Sequence, residues 1–466
     1  MRWTFFLECL KNRRDFFWEE DDTQFCARDL YELVEKISNK SIGTGLKCAV
    51  LCESSLKAAV YFLASWKNGN TVIPLSLNYG KEHCDNILKL TNPDIILSDS
   101  ENVAQLFGDK VCNLFDDKSS KSFIKKEKEN KLENVCLIMC TSGTTGSPKG
   151  AMITYDGLVE NVKNIVEYFD IDTKDKILIA RPLYHTAVMV GEFLVSLYKG
   201  ASIVFYSGKY NPMLIARRME AVSVLCGTPT MLRQLSMIYR CFKKEVSLSK
   251  IALSGECLDE STAGIIRGTF ENAKIYNVYG LTEAGPRVSY LPPDDFERKP
   301  ESVGIPLKNT IVKICDSKMI EVEGRDVGEI CVKSPSLMKG YYNHPEMTKE
   351  TLVDGYLKTG DIGYKDEDGY LYILSRKDDL IIKGGMNIYP REVENYIEKY
   401  PGVKECVVYG VKYRGTQMIV CDAVIDTDKF DKQGLLHTIP EYLRPNKINI
   451  VNKIYKNASG KKMRKK

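Results

Sequence analysis

Short apolar runs alternate with amphipathic stretches along the first 280 residues of the chain. The runs that are typical of buried strands lie at 48–52, 70–74, 94–97, 135–139, 177–180, 202–205, 222–225, 250–253 and 274–278. Apolar residues at helical spacing over 30–37 and 54–67 predict helices between some of them. Strands that alternate with helices predict a parallel sheet with helices on both faces.

The pattern changes in the last third of the chain. Residues 309–334 alternate apolar and polar positions, with Gly324 and Gly328 at turns, which predicts antiparallel strands. Residues 391–400 read as an amphipathic helix, and 404–409 and 418–425 as strands. We therefore predict an α/β protein. Its large N-terminal domain, 1–375, has parallel α/β subdomains and a smaller antiparallel part, and a small mobile α+β domain follows at 376–466.

Composition narrows the class of protein. A chain of 466 residues with 44% hydrophobic and 27% charged residues is typical of a multidomain globular protein, and a net charge of +4 does not favour nucleic-acid binding. No run of 18 apolar residues predicts a membrane span, and the N-terminus does not resemble a signal peptide. Fifteen cysteines without a C-x-x-C pair favour a reducing cytoplasm over disulfides or a zinc site.

The segment Thr141-Ser-Gly-Thr-Thr-Gly-Ser-Pro-Lys-Gly150 follows the apolar run at 135–139 directly. Glycines let a backbone approach an anion closely, hydroxyl and N–H groups can bind phosphate oxygens, and Lys149 adds a positive charge. An ordinary solvated connector is the alternative, and the spacing is not that of a Walker A loop. The candidate phosphate-binding residues are Thr141, Ser142, Gly143, Thr144, Thr145, Gly146 and Lys149.

Two further strings carry similar chemistry. Tyr279-Gly-Leu-Thr-Glu283 follows a strand candidate and offers a ring that can stack on a purine, a hydroxyl for phosphate and a carboxylate for Mg²⁺. Asp361, in Thr359-Gly-Asp, can accept hydrogen bonds from two ribose hydroxyls, although turn aspartates are common. A surface loop remains the alternative for both strings.

Taken in order, these strings resemble the motifs of the adenylate-forming superfamily, which includes acyl-CoA synthetases, aryl-CoA ligases, peptide-synthetase adenylation domains and firefly luciferase. The similarity extends over residues 141–464. It implies that Tyr279 faces adenine next to Gly280, that Thr282 contacts phosphate and that Glu283 binds Mg²⁺.

The same resemblance extends to the C-terminal part. Asp361 and Arg376 match the ribose contacts, Asp378 the hinge between domains, and Gly385 a glycine that lines the thiol channel. Lys461, in Gly460-Lys-Lys-Met-Arg464, matches the lysine that stabilises charge during adenylation, although a frayed basic terminus is the alternative from composition alone. The adjacent Lys462 complicates that assignment.

The acyl pocket is assigned by the same resemblance. His185 matches a histidine that borders the pocket, and Thr186 stands where amino-acid-activating relatives have an aspartate, so an α-amino acid is disfavoured. The predicted substrate pocket comprises His185, Thr186, Cys226, Gly227 and Ala284, with Thr228, Pro229, Ser254 and Cys257 as further wall candidates. Gly255 and Glu256 are assigned to nucleotide binding.

The resemblance implies an AMP-forming carboxylic acid–thiol ligase that uses ATP, Mg²⁺ and CoA. Catalysis is assigned to Lys461, Glu283 and Thr282. A stand-alone ligase that loads a carrier-protein phosphopantetheine in trans is an open alternative, as is a luciferase-like oxidation. A non-catalytic nucleotide-binding relative would have lost Lys149, Glu283 or Lys461, and all three are present.

Overall fold

The computed structural model describes residues 3–13, 16–40, 43–116, 132–142, 148–242, 247–383, 386–413, 416–426, 430–456 and 462–465. Its strands in this part of the chain are β1 (Phe17–Glu20), β2 (Thr23–Cys26), β3 (Lys47–Val50), β4 (Thr71–Pro74), β5 (Ile95–Leu97), β6 (Val111–Cys112), β7 (Val135–Ser142), β8 (Pro148–Thr154), β9 (Lys176–Ile179), β10 (Ser202–Phe205), β11 (Val224–Gly227), β12 (Lys250–Leu253), β13 (Lys274–Tyr279), β14 (Ser289–Leu291), β15 (Ile305–Pro306), β16 (Ile311–Cys315), β17 (Gly328–Lys333), β18 (Gly340–Tyr341), β19 (Leu352–Val353), β20 (Tyr356–Lys365), β21 (Leu371–Arg376), β22 (Ile381–Lys383), β23 (Met386–Ile388), β24 (Val403–Tyr413), β25 (Thr416–Ile425) and β26 (Lys447–Ile450).

The α-helices in the same part are α1 (Phe5–Lys11), α2 (Ala27–Asn39), α3 (Ser55–Lys67), α4 (Lys81–Thr91), α5 (Glu101–Phe107), α6 (Tyr155–Tyr168), α7 (Thr186–Val188), α8 (Val195–Lys199), α9 (Pro212–Arg218), α10 (Pro229–Phe242), α11 (Glu260–Arg267), α12 (Pro345–Thr351), α13 (Pro390–Glu398) and α14 (Lys432–Thr438). A π-helical segment, Met189–Leu194, joins α7 to α8. None of the described helices is long and apolar enough to cross a membrane.

Two large sheets form the N-terminal part. One has the order β18-β8-β7-β4-β3-β5-β6, and the other β15-β14-β13-β12-β11-β9-β10-β1-β2. Their central strands are parallel, because α-helices connect most of them, and antiparallel strands lie at the edges. The predicted α/β architecture is confirmed, although the strand expected at 222–225 lies two residues later, at Val224–Gly227.

The phosphate-loop candidate lies in a setting that the sequence pattern did not predict. It connects β7 to β8 as an antiparallel pair, with Thr141 opposite Lys149 and Ser142 opposite Pro148. The strand β8 begins with Pro-Lys-Gly, residues that periodicity arguments assign to a loop, and it is held in place by pairing with β7 and β18. The loop therefore connects two strands of the seven-stranded sheet.

The antiparallel strands predicted over 309–334 are confirmed as β16 and β17, which join β20, β19 and β21 in a five-stranded sheet. The C-terminal region has a three-stranded sheet, β24-β25-β26, and a two-stranded one, β22-β23. Its buried core, from Ile381 to Ile448, is separate from the core that both large sheets share. The domain boundary at 375 remains a prediction, and residue 375 itself lies inside β21.

Candidate active site

Three predicted nucleotide-binding side chains meet at β13, β20 and β21. The Tyr279 hydroxyl donates a hydrogen bond to Asp361 Oδ2 at 2.6 Å, and Arg376 Nη1 donates one to Asp361 Oδ1 at 2.8 Å. Asp361 is only 7% exposed, and a buried carboxylate is stable when it is paired and hydrogen-bonded in this way. Each of its oxygens can accept a second hydrogen bond, which leaves capacity for two sugar hydroxyls.

Asp361 lies within β20, so the turn that the sequence predicted there is wrong. A second carboxylate that was not predicted, Glu329, bonds the backbone beside it. Glu329 Oε1 accepts from the Gly360 N–H at 3.1 Å, and Lys377 Nζ donates to Glu329 Oε2 at 2.9 Å. Lys377 begins the short 3₁₀ helix that contains Asp378, the predicted hinge residue, so this ion pair ties the start of the predicted hinge to β17.

The Tyr279–Glu283 string forms a tight turn after β13. A Cβ at Gly280 would overlap the backbone carbonyl of Pro286, so the close return of the chain requires glycine there. Residues Thr282–Ala284 form a 3₁₀ turn in which Ala284 is buried. The turn leaves the Thr282 and Glu283 side chains partly exposed.

Glu283 contacts a tyrosine that no sequence pattern indicated. The Tyr341 hydroxyl, from β18, donates to Glu283 Oε1 at 2.9 Å, and burial together with the Glu283 charge raises the pKa of Tyr341. Lys149 Nζ lies 5.9 Å from the centre of the Tyr341 ring. Tyr341 therefore connects the predicted metal ligand to the lysine that begins β8, the strand after the phosphate loop.

Several predicted residues lie outside the part that can be described. These are Gly143, Thr144, Thr145, Gly146, Gly385 and Lys461. The backbones of Thr141 and Ser142 belong to β7, while their side chains are not among the described groups. Their predicted roles stay predictions.

Gly255 and Glu256 follow β12 at the same edge of the sheet. Gly255 has a φ of +91°, and Glu256 Oε2 accepts from the Thr230 N–H at 3.1 Å. Glu256 Oε1 is buried and has no hydrogen-bond partner among the described residues. Burial raises the pKa of Glu256, and the hydrogen bonds from Thr230 and the lysines at 456 and 462 oppose that rise.

The predicted acyl-pocket residues lie at the carboxyl ends of β9 and β11 and on the following segments. The Thr186 and Thr282 hydroxyls are 3.1 Å apart, so the pocket candidate directly adjoins the phosphate-contact candidate. Cys226 is fully buried in β11, where Gly227 follows it. Burial, and to a lesser degree the charge of Arg181, lowers the pKa of His185 to about 4, so its ring is neutral at physiological pH.

Charged residues of the same region were not predicted. Arg181 Nη2 donates to Glu192 Oε1 at 2.6 Å and to Ser254 Oγ at 3.1 Å, and Glu192 is completely buried. The only sequence signal was an arginine at the end of an apolar strand. Its partner lies on the π-helical segment, and the sequence offers no periodicity that pairs the two.

Ion pairs of the described residues 462–465 anchor the C-terminal tail to the rest of the small domain. Lys462 Nζ is 2.6 Å from Glu398, Arg464 Nη2 bonds both oxygens of Glu394 at 2.8 and 2.9 Å, and Lys465 is 2.8 Å from Asp422. Burial lowers the pKa of Lys462, but the charges of Glu398 and Glu394 raise it by more, so the net shift of its pKa is upward. Lys462 therefore has a structural partner, which favours Lys461 as the catalytic candidate.

A magnesium ion fits the donors present at Glu283. Among the described residues no group of three or more His, Cys, Asp or Glu side chains could hold a metal by itself. Glu283 Oε2 makes no hydrogen bond to a described residue, and the preceding residue, Thr282, carries a hydroxyl 3.1 Å from that of Thr186. Mg²⁺ is commonly held by one or two carboxylates together with substrate phosphates and water, which is the donor set offered here.

Further polar contacts join the small domain to the N-terminal part. Arg391 donates to the Leu258 carbonyl and lies 3.9 Å from Glu301, and Lys399 is 3.4 Å from Glu260. Both partners of the Lys399–Glu260 pair are exposed, and exposed ion pairs of this kind are weak.

Comparison with known proteins identifies what this arrangement is similar to. Residues 10–342 match the family model "AMP-binding enzyme", and residues 392–461 match "AMP-binding enzyme C-terminal domain". A feruloyl-CoA synthase of an Amycolatopsis species is 37% identical over 285 residues, 60% of this chain, and the match spans only 57% of that protein. A 2-succinylbenzoate–CoA ligase of Listeria innocua is 29% identical over 94% of this chain and 92% of its own length.

Among solved structures, ATP-bound MatB from Rhodopseudomonas palustris has a TM-score of 0.87 at 27% identity, with 99% of this chain and 97% of that chain covered. The structural likeness thus includes both the N-terminal part and the C-terminal region.

Proposed function

Since the chain belongs to the AMP-binding enzyme family, we propose that it activates a carboxylic acid with ATP and transfers the acyl group to the thiol of CoA. The observation that carries this proposal is the convergence of Tyr279, Asp361 and Arg376 beside Glu283. The resemblance to the superfamily assigns just these residues to adenine, ribose and metal. The CoA ligase names of the relatives support CoA as the acceptor.

In the first half-reaction, a carboxylate oxygen of the acid attacks the α-phosphorus of ATP and pyrophosphate leaves. The product is an acyl adenylate, whose AMP is a better leaving group than oxide. In the second, a thiolate sulfur attacks the acyl carbon, a thioester forms and AMP leaves. Both steps require the reactants to be held in line and the phosphate charge to be neutralised.

The described residues can supply the positioning. Asp361 binds the ribose hydroxyls, with the hydrogen-bonded Arg376 holding the carboxylate in its orientation. Thr282 donates a hydroxyl toward phosphate, with Thr186 beside it. Lys149 and Lys461 would add positive charge next to the phosphates. Glu283 would hold Mg²⁺, which supplies Lewis-acid neutralisation of phosphate charge when it is bound.

The small domain is proposed to change position between the two half-reactions, with Asp378 as the hinge and Gly385 beside the incoming thiol. The exposed Lys399–Glu260 pair between the two parts supports this, because such a pair adds little free energy to one arrangement. Lys461 would leave the site when the domain turns.

Two finer assignments also remain proposals. A carrier-protein phosphopantetheine presents the same thiol as CoA, and the cytoplasmic location rests on the unpaired cysteines. His185 and Thr186 leave the pocket without an acidic partner for a substrate ammonium among the predicted pocket residues, which supports an acyl or aryl acid over an α-amino acid.

The test is carboxylate-dependent exchange of labelled pyrophosphate into ATP with a panel of aryl, short-, medium- and long-chain acids, followed by CoA. Exchange with AMP release on addition of CoA supports the proposal. Exchange without turnover on CoA would favour a carrier protein or another acceptor such as oxygen. Absence of exchange with every acid would favour a non-catalytic nucleotide-binding protein.

A further inference from the structure

A buried cluster of charges lies at the carboxyl edge of the nine-stranded sheet, outside the motifs already discussed. Arg181 follows β9, Glu192 lies on the π-helical segment, and Arg287 precedes β14. Glu192 is 0% and Arg287 3% exposed. Ligands of open parallel sheets bind at this edge, outside the carboxyl ends of the strands.

Arg181 is fixed by two hydrogen bonds but keeps a donor group unused. Both bonds, to Glu192 and Ser254, come from Nη2. Nη1 makes no hydrogen bond to any described residue, and 13% of the side chain is accessible. The guanidinium is thus held in one orientation, with its remaining N–H groups available to an acceptor.

Arg287 packs against the helical segment that carries Glu192. A Cβ at Gly191 would overlap the Arg287 guanidinium, so glycine permits the arginine to pack directly against the helical backbone next to Glu192. Its Nη2 donates weakly to the Ala187 carbonyl at 3.4 Å, and it forms no ion pair with a described residue. Burial raises the pKa of the Glu192 carboxyl, and the charges of Arg181 and Arg287 oppose that rise.

The cluster therefore contains two cations and one carboxylate, a net charge of +1 among the described residues. Protonation of Glu192 would only increase this excess. A buried charge without a partner is costly, and proteins normally balance it with a counter-ion. The Arg181 Nε and Glu192 Oε2 atoms are also buried and have no hydrogen-bond partner in the part of the chain that the structure describes, so the hydrogen bonding of the cluster is incomplete there.

The cluster adjoins the predicted acyl pocket. Arg181 Nη2 donates at 3.1 Å to Ser254, one of the pocket-wall candidates, and Arg181 lies four residues before His185 in the chain. We propose that the acid substrate carries a second carboxylate at its far end, which accepts hydrogen bonds from Arg181 Nη1 and balances the positive excess of the Arg181–Glu192–Arg287 cluster. This rests on the proposed function, since it names the class of acid that the enzyme activates.

The chemistry distinguishes this class from others. An apolar chain end would leave the Arg181 donor desolvated and unbonded. A neutral hydroxyl can accept one hydrogen bond but leaves the net charge unchanged. A carboxylate accepts from the guanidinium fork and neutralises the cluster at the same time.

The experiment measures kcat/KM for pyrophosphate exchange with matched acids. Linear acids of four to seven carbons are paired with the α,ω-diacids of equal length, and cinnamates carry a para-methyl, para-hydroxyl or para-carboxylate group. We expect about tenfold or greater preference for the dicarboxylates in at least one series. A preference for methyl- or hydroxyl-ended acids throughout would overturn this inference and leave the proposed function standing, whereas exchange with none would overturn both.

Variants provide a second measurement. Arg181→Met alone would leave Glu192 buried without its partner, so we pair it with Glu192→Met, because a buried ion pair can be replaced by apolar residues with little loss of stability. The double variant is expected to lose the preference for diacids while the KM for ATP stays within about twofold. If the double variant keeps the preference for diacids, Arg181 does not bind the substrate.

The matched control is the buried pair Lys250–Asp175, with side chains 13% and 6% exposed, at the amino ends of strands of the same sheet. Lys250→Met with Asp175→Asn removes a comparable ion pair far from the carboxyl edge. The acid preference of this variant should be that of the unmodified protein. If it changes as much as in the Arg181 variant, the effect is one of general packing and the inference fails.

Discussion

The nucleotide half and the acyl half of the candidate site treat charge in opposite ways. In the ribose-binding part of the nucleotide half, Asp361 is paired with Arg376 and Glu329 with Lys377, so these charges balance one another. In the acyl half, Glu192 is paired with Arg181 alone, and the nearby buried Arg287 has no ion-pair partner among the described residues. The ribose that the first half is proposed to bind is neutral and needs only acceptors.

This contrast indicates where to look for substrate specificity, namely at a buried site whose charges are not balanced by the protein's own residues. A balanced site is already stable without its ligand, and a neutral group such as a sugar adds hydrogen bonds alone. An unbalanced buried site is stabilised by a ligand of opposite charge. The following changes test this contrast and are ordered by the size of the effect that we expect.

Lys461→Ala should reduce acyl-adenylate formation by about 10³-fold or more, because the proposed lysine charge faces the phosphates during that step only. Thiol transfer from supplied acyl adenylate should be retained. Pyrophosphate exchange and thioester formation measure the two steps separately, and equal loss of both would remove the proposed role.

The neighbouring lysine serves as the control for that change. Lys462→Ala removes the bond to Glu398 and should lower the stability of the small domain, seen as a lower melting temperature. Since Lys462 has a partner in the structure, its loss should weaken both steps mildly and together. If Lys462→Ala selectively lost adenylation, Lys462 would be the catalytic lysine and Lys461 would not.

Glu283→Gln should lower the rate of pyrophosphate exchange by about 10²–10³-fold and raise the Mg²⁺ concentration needed for half-maximal rate. The reason is that an amide oxygen is a weaker ligand for a hard cation than a carboxylate. Tyr341→Phe deletes only the hydroxyl that bonds Glu283 and should cost about tenfold or less. An unchanged Mg²⁺ requirement in Glu283→Gln would argue against the metal role.

The stability of the protein should depend on pH through His185, which lies in the acyl half of the candidate site. Its pKa is about 4 in the folded protein and about 6.5 when the chain is unfolded. Between these values the unfolded state binds the extra proton, so stability falls as pH is lowered from 6.5 to 4, by at most about 3 kcal/mol. Urea unfolding of His185→Gln should show a shallower loss over that window.

The same histidine can sharpen the contrast between the halves. Arg181 contributes to the low pKa of His185, after burial. The Arg181→Met/Glu192→Met variant should therefore raise the pKa of His185, measured by NMR titration of its ring protons. A pKa near 6.5 in the unmodified protein would contradict the buried, positively charged setting of the ring.

Asp361→Asn should raise the KM for ATP by about 10- to 30-fold and leave the preference among acids unchanged. The amide cannot accept on both sides, and Arg376 loses its partner. Glu329→Gln is the matched control, because it keeps an acceptor for the Gly360 N–H and lies outside the proposed ribose contacts. A change in acid preference with Asp361→Asn would show that the two halves are coupled.

Much of the N-terminal sheet structure was predictable, because buried parallel strands appear as short apolar runs and the helices between them have their own period. The strand β8 was not, since Pro148, Lys149 and Gly150 lack the pattern and are held extended by β7 and β18. The strand that begins at Val224 was placed two residues too early for the same reason: pairing with β9 and β12 decides where it starts.

The nucleotide half was predictable in outline, because Tyr279, Glu283 and Asp361 lie in short local strings that can be recognised without their partners. The partners of these residues are known only from the fold: Tyr341 reaches Glu283, and Glu329 bonds the Gly360 N–H beside Asp361. The same is true of Arg181, which binds Glu192, and of Arg287, which packs against Gly191. These partners are far apart along the chain and no local period links them. Their juxtaposition arises from the order of strands in the sheets and from the close packing of the π-helical segment, which local sequence does not encode.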